Sequence, residues 1–293
     1  MDPRVATVVG ASGFLGTALA RRFAMAGVPV ESFTRARPFP TAPGEDARAV
    51  ALSRTVFWLA TRVNPAVAED RPDLVELDQC TLERALQVIE AGASPPRVVL
   101  LSSGGTVYDP AHPPPYAEAS PVRATTAYGR SKLALERALS VSSLPPERRT
   151  IVRVSNAYGP GQQARRGQGV VAHWLQAAAD GAPLVLIGYE QTVRDYVYIE
   201  DIVDALVAIH EADGELPPTL NVGSGQGTTL AELARMVVDV VGDRSLTIDV
   251  RPARRFDVPR TWLDTTLASQ TLGWRPRTSL REGVAATWRA FGG

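Results

Sequence analysis

The fold is decided near the amino terminus by the stretch Val5-Ala6-Thr7-Val8-Val9-Gly10-Ala11-Ser12-Gly13-Phe14-Leu15-Gly16. Residues 5–9 form a short apolar run rich in β-branched side chains, which predicts a strand. Apolar side chains then recur at Leu15, Leu19 and Phe23, the spacing of an amphipathic helix, after a glycine-rich turn. The stretch therefore predicts a strand, a tight turn and a helix, the start of a βαβ unit.

The turn in this stretch carries glycine at positions 10, 13 and 16. Because glycine has no side chain, backbone N–H groups and the amino end of the next helix can approach a pyrophosphate there. The spacing, placed between a strand and a helix, predicts a dinucleotide cofactor, whereas the alternative is a turn that serves only the fold. The predicted cofactor contacts at the turn are Gly10, Ser12, Gly13, Phe14, Leu15 and Gly16.

Further along the chain, apolar runs alternate with helical patterns. The patterns predict strands at 28–33, 55–60, 98–102 and 151–154, and helices at 73–91 and 127–141. This alternation predicts an α/β fold with a Rossmann-type, doubly wound parallel sheet. The segment before residue 55 is short and rich in Pro, Gly and Ala, so we expect one helical crossover to be trimmed or lost there.

After Gly161 the pattern loosens. Predicted helices at 169–179, 202–211, 230–241 and 280–291 mix with predicted strands at 184–187, 219–222 and 246–250. We expect residues 1–160 to form the dinucleotide-binding domain and residues 161–293 to form mostly a smaller α/β substrate domain. Residues 197–222 are expected to return to the first domain.

Composition excludes some classes of function. The 293 residues include 31 basic and 31 acidic side chains, so net charge gives no reason to expect nucleic acid or a membrane as partner. The one cysteine, Cys80, cannot form an internal disulfide, and no apolar stretch approaches the roughly 20 residues of a membrane span. With no signal-peptide pattern, we expect a cytoplasmic protein. None of its histidines has a partner at metal-ligand spacing, so no metal site is predicted.

Lys132 is the only lysine beside thirty arginines, and it follows Tyr128 by four residues. On a helix this spacing places both side chains on one face. A compact ammonium there favours the anionic form of a phenol and can also donate to hydroxyls. We therefore predict Tyr128 as general acid and base and Lys132 as its partner. The alternative is a surface helix on which the two residues coincide by chance.

The end of the second predicted strand bears on the choice between NAD and NADP. An acid there would bind the ribose hydroxyls of NAD, but Thr34 occupies the place and Glu31 lies earlier in the strand. Arg35, with Arg37 nearby, has the charge to bind a 2′-phosphate. The residues thus favour NADP over NAD, unless both arginines are simply solvated.

A turn rich in hydroxyls ends the fourth predicted strand, with the sequence Ser102-Ser103-Gly104-Gly105-Thr106-Val107-Tyr108. Open α/β sheets bind their ligands at the carboxyl ends of strands. The hydroxyls of Ser103 and Thr106 could therefore donate to a substrate oxygen on which negative charge develops. The alternative is that they satisfy backbone groups of the turn.

Several blocks together resemble the extended short-chain dehydrogenases that act on nucleotide sugars, the NAD-dependent epimerase/dehydratase family, close to its UDP-glucose 4-epimerases. The blocks are the glycine turn, residues 102–108, Tyr128 with Lys132, RVSNAYGPG at 153–161, VRDYVYIED at 193–201 and LGWRP at 272–276. They occur in the family's order over nearly the whole chain.

The resemblance implies roles for matching residues. Tyr128 would be the acid and base at a sugar hydroxyl, and Lys132 would bind the nicotinamide ribose and hold the phenolate. Thr106 and Ser103 would contact the reacting hydroxyl or ketone. Cofactor contacts would extend to Leu59, Ala60, Tyr128 and Lys132.

The resemblance also implies a site for the nucleotide sugar. The implied contacts are Asn156 with the sugar nucleotide, Arg194 with the diphosphate, and Arg255 and Asp257 with the far ribose or base. An alternative pairs Arg194 with Asp195 on the surface. Asp201 is expected to stabilise the amino end of the helix at 202–211.

Departures from the family pattern narrow the function. Gly104 stands where many relatives have a catalytic Ser or Thr, so that role passes to Thr106 or Ser103 or is absent. Dehydratases and decarboxylases of the family usually have acids just before the Val-Tyr pair. This chain has Gly105 and Thr106 there, which argues against both activities.

We therefore predict an NAD(P)-dependent 4-epimerase of a nucleotide-linked hexose, with an NADPH-dependent 4-ketoreductase of nucleotide-linked deoxysugars as the rival. A non-catalytic dinucleotide-sensing module is the alternative from another class, and the presence of both Tyr128 and Lys132 argues against it. The resemblance further implies a homodimer through the helices predicted at 73–91 and 127–141.

Overall fold

A computed structural model of the protein describes residues 5–42, 50, 52–164, 167–243, 246–252 and 258–292. Its strands are β1 (Ala6–Val9), β2 (Val30–Phe33), β3 (Thr55–Trp58), β4 (Arg97–Ser103), β5 (Arg149–Val154), β6 (Asn156–Tyr158), β7 (Leu184–Ile187), β8 (Val193–Arg194), β9 (Tyr196–Tyr198), β10 (Thr219–Val222), β11 (Thr228–Thr229) and β12 (Ile248–Arg251). Its α-helices are α1 (Phe14–Met25), α2 (Pro65–Asp70), α3 (Pro72–Glu90), α4 (Ala127–Ser140), α5 (Val170–Ala179), α6 (Ile199–Glu211), α7 (Leu230–Val241), α8 (Thr266–Leu272) and α9 (Leu280–Ala290).

Six strands form a central parallel sheet in the order β10-β5-β4-β3-β1-β2. Successive strand residues point to opposite faces of the sheet, so apolar side chains stand on both faces. Helices cover both faces for this reason. On one face, α1 and α6 bury Leu19, Phe23, Val203 and Leu206 against Val8, Phe57 and Val99. On the other, α3 and α4 bury Leu82, Leu86, Leu135 and Leu139 against Val9, Val56 and Val98. Each such side chain contributes about 1.5–3 kcal/mol when fully buried.

A third apolar cluster holds the carboxyl-terminal elements together. Helices α5, α7 and α9 pack around Trp174, Leu175, Leu233, Val237 and Val284. The indole N–H of Trp174 donates to the carbonyl of Val185, at 2.9 Å, and β7 pairs with β12 in a separate two-stranded sheet. This cluster stands beside the carboxyl ends of the central strands and provides one wall of the cleft described below.

The predicted fold class is confirmed, with a doubly wound parallel sheet. Two short helices, α2 and α8, were not predicted because six or seven residues are too few to show a helical period. The expected loss of a crossover helix before β3 falls largely on residues 43–49 and 51, outside the described residues. The division into domains stays a prediction, although β10 does pair with β5 in the central sheet.

Among the described helices, none combines the length and the apolar character that a bilayer crossing requires.

Candidate active site

A cleft of about 1560 Å³ lies at the carboxyl ends of the central strands. Residues that follow β1, β3 and β5 line it, as do the end of β4 and the start of α4. The opposite wall comes from α5 and β7 in the carboxyl-terminal cluster. This is the edge at which open α/β sheets hold their ligands.

The glycine turn forms one end of this cleft, and packing leaves no room for side chains there. Gly10 has φ +93°, and a Cβ on it would lie 2.8 Å from the backbone nitrogen of Ala60. A Cβ on Gly16 would lie 2.1 Å from the carbonyl oxygen of Gly10. Helix α1 begins directly after Gly13 without a side-chain cap. The turn thus presents backbone and a helix amino terminus to the cleft, which fits a dinucleotide pyrophosphate.

Most of the predicted cofactor contacts line the cleft, namely Gly10, Ser12, Gly13, Phe14, Leu15, Gly16, Leu59, Tyr128 and Lys132. Arg35 and Ala60 do not line it, and Arg35 is exposed. Arg37 is held close to its own strand, with 2.5 Å between its Nη2 and Oε1 of Glu31 and its guanidinium 5.0 Å from the ring centre of Phe33. A role for Arg35 toward a 2′-phosphate stays a prediction.

The start of helix α4 is fixed by its cap and by a close approach to the turn after β4. The side chain of Thr126 accepts the backbone N–H of Gly129 at 2.9 Å, and Glu69 accepts that of Ala127 at 2.8 Å. A Cβ on Gly129 would lie 2.3 Å from the carbonyl oxygen of Thr106. Glycine at this position therefore lets the helix rest against the hydroxyl-rich turn.

Tyr128 and Lys132 lie on the first two turns of α4, and both side chains line the cleft. The Nζ of Lys132 is 5.5 Å from the centre of the Tyr128 ring. Lys132 as a whole residue is only 6% exposed. The cleft thus holds a phenol and an ammonium side by side.

The next turn of α4 carries a buried ion pair. Both oxygens of Glu136 accept from Arg153, at 3.1 and 2.7 Å, and Glu136 also accepts the hydroxyl proton of Ser102. The guanidinium of Arg153 lies 4.9 Å from the ring centre of Tyr108. The pair joins α4 to β4 and β5 beneath the cleft.

The hydroxyl-rich turn after β4 places Ser103, Gly105 and Thr106 in the cleft, but not Gly104. A Cβ on Gly104 would lie 2.6 Å from Cδ1 of Leu263, so a larger residue there requires Leu263 to move. The Oγ1 of Thr106 is buried and has no hydrogen-bond partner in the part of the chain that the structure describes. Thr106 thus lines the cleft and carries a buried hydroxyl oxygen for which the described residues supply no partner.

Two predicted substrate contacts, Asn156 and Arg194, also line the cleft. The amide nitrogen of Asn156 donates to the carbonyl of Asp195 at 2.9 Å. Asp195 itself is buried, and its carboxylate accepts from Ser155, Ser224 and Leu263. Burial raises the pKa of this carboxyl group. The alternative of a surface pair between Arg194 and Asp195 is wrong, because Asp195 is not on the surface.

Comparison with known proteins identifies the family. Residues 6–223 match the NAD dependent epimerase/dehydratase family. The chain belongs to this family. The predicted membership, and with it the prediction of an enzyme, is confirmed.

Relatives in the family act on nucleotide sugars. A dTDP-6-deoxy-L-talose 4-dehydrogenase (NAD(P)(+)) from Kitasatospora kifunensis is 31% identical, over 98% of this chain and 96% of its own. A UDP-glucose 4-epimerase from Mycolicibacterium smegmatis is 34% identical, over 67% of this chain and 62% of its own. The solved structure of Thermus thermophilus UDP-glucose 4-epimerase in complex with NAD is 26% identical, with 99% of both chains covered and a TM-score of 0.84.

Three further predicted residues of this epimerase/dehydratase chain have different outcomes. Arg255 and Asp257 lie outside the described residues. Asp201 does lie in the first turn of α6, but it does not cap the helix. Its carboxylate accepts the backbone N–H groups of Arg277 and Thr278, at 3.0 and 3.1 Å, so it anchors the segment before α9 instead.

Two residues that support the cleft, Glu136 and Leu263, were not predicted from the sequence. Glu136 follows Lys132 by four residues, so the helical spacing that connects Tyr128 to Lys132 also placed it on the same face. No local pattern indicates Leu263, since its contact with Gly104 joins distant parts of the chain.

Proposed function

We propose that this enzyme is an NAD(P)-dependent 4-epimerase of a nucleotide-linked hexose. The observation that carries the proposal is the pairing of Tyr128 with the buried Lys132 in the same cleft as the glycine turn. A phenol, an ammonium and a dinucleotide site together supply what reversible oxidation of a sugar hydroxyl requires.

The chain's own residues would move the protons. Tyr128, as the phenolate, takes the proton from the sugar 4-hydroxyl and later returns it to the ketone oxygen. The ammonium of Lys132 stabilises the phenolate, and Thr106 donates its free hydroxyl to the reacting oxygen. A nicotinamide cofactor held at the glycine turn would supply the hydride acceptor and the hydride donor for carbon 4. Epimerisation further requires room in the cleft for the ketone to turn over, so that either of its faces could meet the cofactor.

Asn156 and Arg194 support a nucleotide sugar as the substrate. Both side chains line the cleft. A guanidinium suits a diphosphate because it offers several N–H donors in a fixed plane, and an amide can both donate to and accept from sugar hydroxyls. Relatives named as UDP-glucose 4-epimerases add weight to this substrate class. Arg255 and Asp257 remain proposed contacts for the far ribose or base.

The second candidate is an NADPH-dependent 4-ketoreductase of a nucleotide-linked 4-keto-deoxyhexose. It would use Tyr128 as the acid and Lys132 as its partner in the same way. Two observations favour it: the relative that spans 98% of the chain is a 4-dehydrogenase of a dTDP-deoxysugar, and Thr34 and Arg35 stand where an NAD enzyme has an acid.

The fate of the cofactor separates the two candidates. The purified protein is assayed with UDP- and dTDP-linked hexoses, and absorbance at the nicotinamide band is followed with added NAD or NADPH. An epimerase interconverts the sugars without net change in free cofactor. Stoichiometric consumption of NADPH with a 4-keto sugar, and no epimer formed, would instead establish the reductase.

Replacing Tyr128 with Phe tests the shared chemistry. We expect turnover to fall by about 10²- to 10⁴-fold while cofactor binding persists, because only the acidic hydroxyl is removed. Tyr189, which is exposed and does not line the cleft, gives the matched control Tyr189→Phe. Equal activity of both variants would exclude Tyr128 as the acid and base, and full activity without any added or bound nicotinamide would exclude the cofactor.

We also propose that the enzyme is a homodimer. Helices α3 and α4 lie side by side on one face of the sheet, and Leu77 on α3 is 46% exposed. The same pair from a second copy would complete a four-helix contact. Leu77→Glu should then shift the molar mass measured by light scattering from dimer to monomer, and a monomeric parent protein would refute the proposal.

A further inference from the structure

Three arginines lie together at the amino ends of the central strands, on the side of the sheet opposite the cleft. Arg54 precedes β3, Arg97 begins β4, and Arg148 precedes β5. These strands are neighbours in the sheet and run parallel, so their amino ends are adjacent. The backbone N–H of Arg97 donates to the carbonyl of Arg54 at 3.1 Å. The arginines therefore form a row across three strand starts.

The row surrounds a cavity of about 200 Å³, which is also lined by Ala212 and Asp213. One water molecule takes up roughly 30 Å³ in the liquid, so the cavity has room for a tetrahedral oxyanion and some of its hydration. It shares no lining residue with the catalytic cleft. A ligand bound in this cavity would therefore act independently of the chemistry in the cleft.

Two of the arginines also hold the carboxyl end of helix α6. Arg97, 8% exposed, donates through Nη1 to the carbonyls of Ile209 and Ala212 and through Nη2 to that of Gly214. Arg54 donates to the carbonyl of His210 and to Oδ1 of Asp213, the latter at 2.8 Å. Capping a helix explains these contacts, but carbonyls do not neutralise guanidinium charges.

The remaining donors and charges are not balanced by the residues that the structure describes. The Nε of Arg97 is buried and has no partner, and Arg148 makes no side-chain hydrogen bond or ion pair, within the residues that the structure describes. The one carboxylate that lines the cavity, Asp213, is 75% exposed at its side chain. Burial first, and then the charges of Arg54 and Arg148, lower the pKa of Arg97. Mutual repulsion among these positive charges favours a bound anion.

We propose that this cavity, which we call the basic cavity, binds a small tetrahedral oxyanion, either inorganic phosphate or the phosphate group of a monoester. Three arginines line one volume, and guanidinium N–H pairs match phosphate oxygens. Three positive charges and one negative charge line the cavity, so its net charge is +2. A dianion balances this charge fully, whereas a carboxylate balances only half of it.

The test uses the full chain saturated with NAD(P), so that phosphate does not enter at the glycine turn. Inorganic phosphate is titrated while Tm is measured, with sodium chloride at matched ionic strength as reference. The variant is Arg148→Gln, since Arg148 is exposed and its loss leaves the folded core intact. The control is Arg235→Gln, an exposed arginine on α7 that lines neither the cleft nor the basic cavity.

We expect a saturable rise in Tm with phosphate. The dissociation constant should be about tenfold larger in R148Q and unchanged in R235Q. A rise no greater than that with chloride, or equal affinity in R148Q and the parent protein, would overturn the proposal. A parallel titration with a sugar 1-phosphate identifies the source. Tighter binding of the ester than of inorganic phosphate, lost again in R148Q, assigns the basic cavity to a monoester, and equal or weaker binding assigns it to free phosphate.

Discussion

Helix α4 buries two charged side chains one turn apart, and their surroundings differ. Glu136, 5% exposed, accepts hydrogen bonds from Ser102 and from two nitrogens of Arg153. Lys132, 6% exposed, makes no hydrogen bond or ion pair with any described residue, and its nearest aromatic neighbour is the Tyr128 ring. No ion pair or hydrogen bond with a described residue therefore explains why a lysine stands at this position in the cleft. A bound ligand would supply its partners, whereas Glu136 already has its own.

The largest effect should come from removing the unpaired charge. Lys132→Met is expected to lower kcat/KM by about 10²- to 10⁴-fold, because the phenolate of Tyr128 loses its stabilising cation. Since no partner is left behind, the free energy of unfolding in urea should not fall. Steady-state kinetics and urea melts of the same preparation measure both quantities. If the variant loses stability and keeps its activity, Lys132 stabilises the fold and does not serve the chemistry.

The paired charge should behave in the opposite way. Arg153→Met leaves Glu136 buried without its cation, and we expect a loss of about 3–5 kcal/mol in the free energy of unfolding. The double variant R153M/E136L removes both charges and should recover most of that loss. If the single variant loses less than about 1 kcal/mol, the pair does not hold α4 against the sheet.

A smaller effect is expected at the hydroxyl-rich turn. Thr106→Val keeps the shape of the side chain but removes the hydroxyl that lacks a partner, and kcat/KM should fall by about 10- to 100-fold. Thr106→Ser should retain activity. Ser103→Ala is the companion variant, because Ser103 also lines the cleft. Loss in S103A but not in T106V would assign the hydroxyl role to Ser103.

The smallest effect concerns the cap of α4. Thr126→Ala removes the oxygen that accepts the N–H of Gly129, which should lower the free energy of unfolding by about 1 kcal/mol. Thr126→Ser keeps the cap and serves as the control. Chemical denaturation monitored by circular dichroism is sufficient, and equal stability of the two variants would show that packing alone positions the helix start.

The sequence predicted those parts of the molecule that depend on residues close together in the chain. The glycine turn follows from Gly10, Gly13 and Gly16 within one strand–helix unit, and the pairing of Tyr128 with Lys132 follows from helical spacing. The helix predicted at 230–241 has the bounds Leu230–Val241 because a capping box and a left-handed Gly242 mark its ends.

The rest depends on contacts between distant segments. The role of Glu136 is set by Arg153 on another strand, and the space beside Gly104 is filled by Leu263 from far along the chain. Neither contact leaves a local pattern, because side-chain direction at these positions is decided by how the elements pack. Asp201 shows the same limit, since its position in the helix was predicted but its partners near Arg277 were not.

Gly129 has a practical consequence for anyone who wishes to redesign this enzyme. A single added carbon at that residue would lie 2.3 Å from the carbonyl oxygen of Thr106, so any larger residue there would push helix α4 away from the hydroxyl-rich turn. Libraries that aim at bulkier sugars should leave this junction untouched. They should vary instead the far wall of the cleft, where His173 and Gln176 present exposed, replaceable side chains.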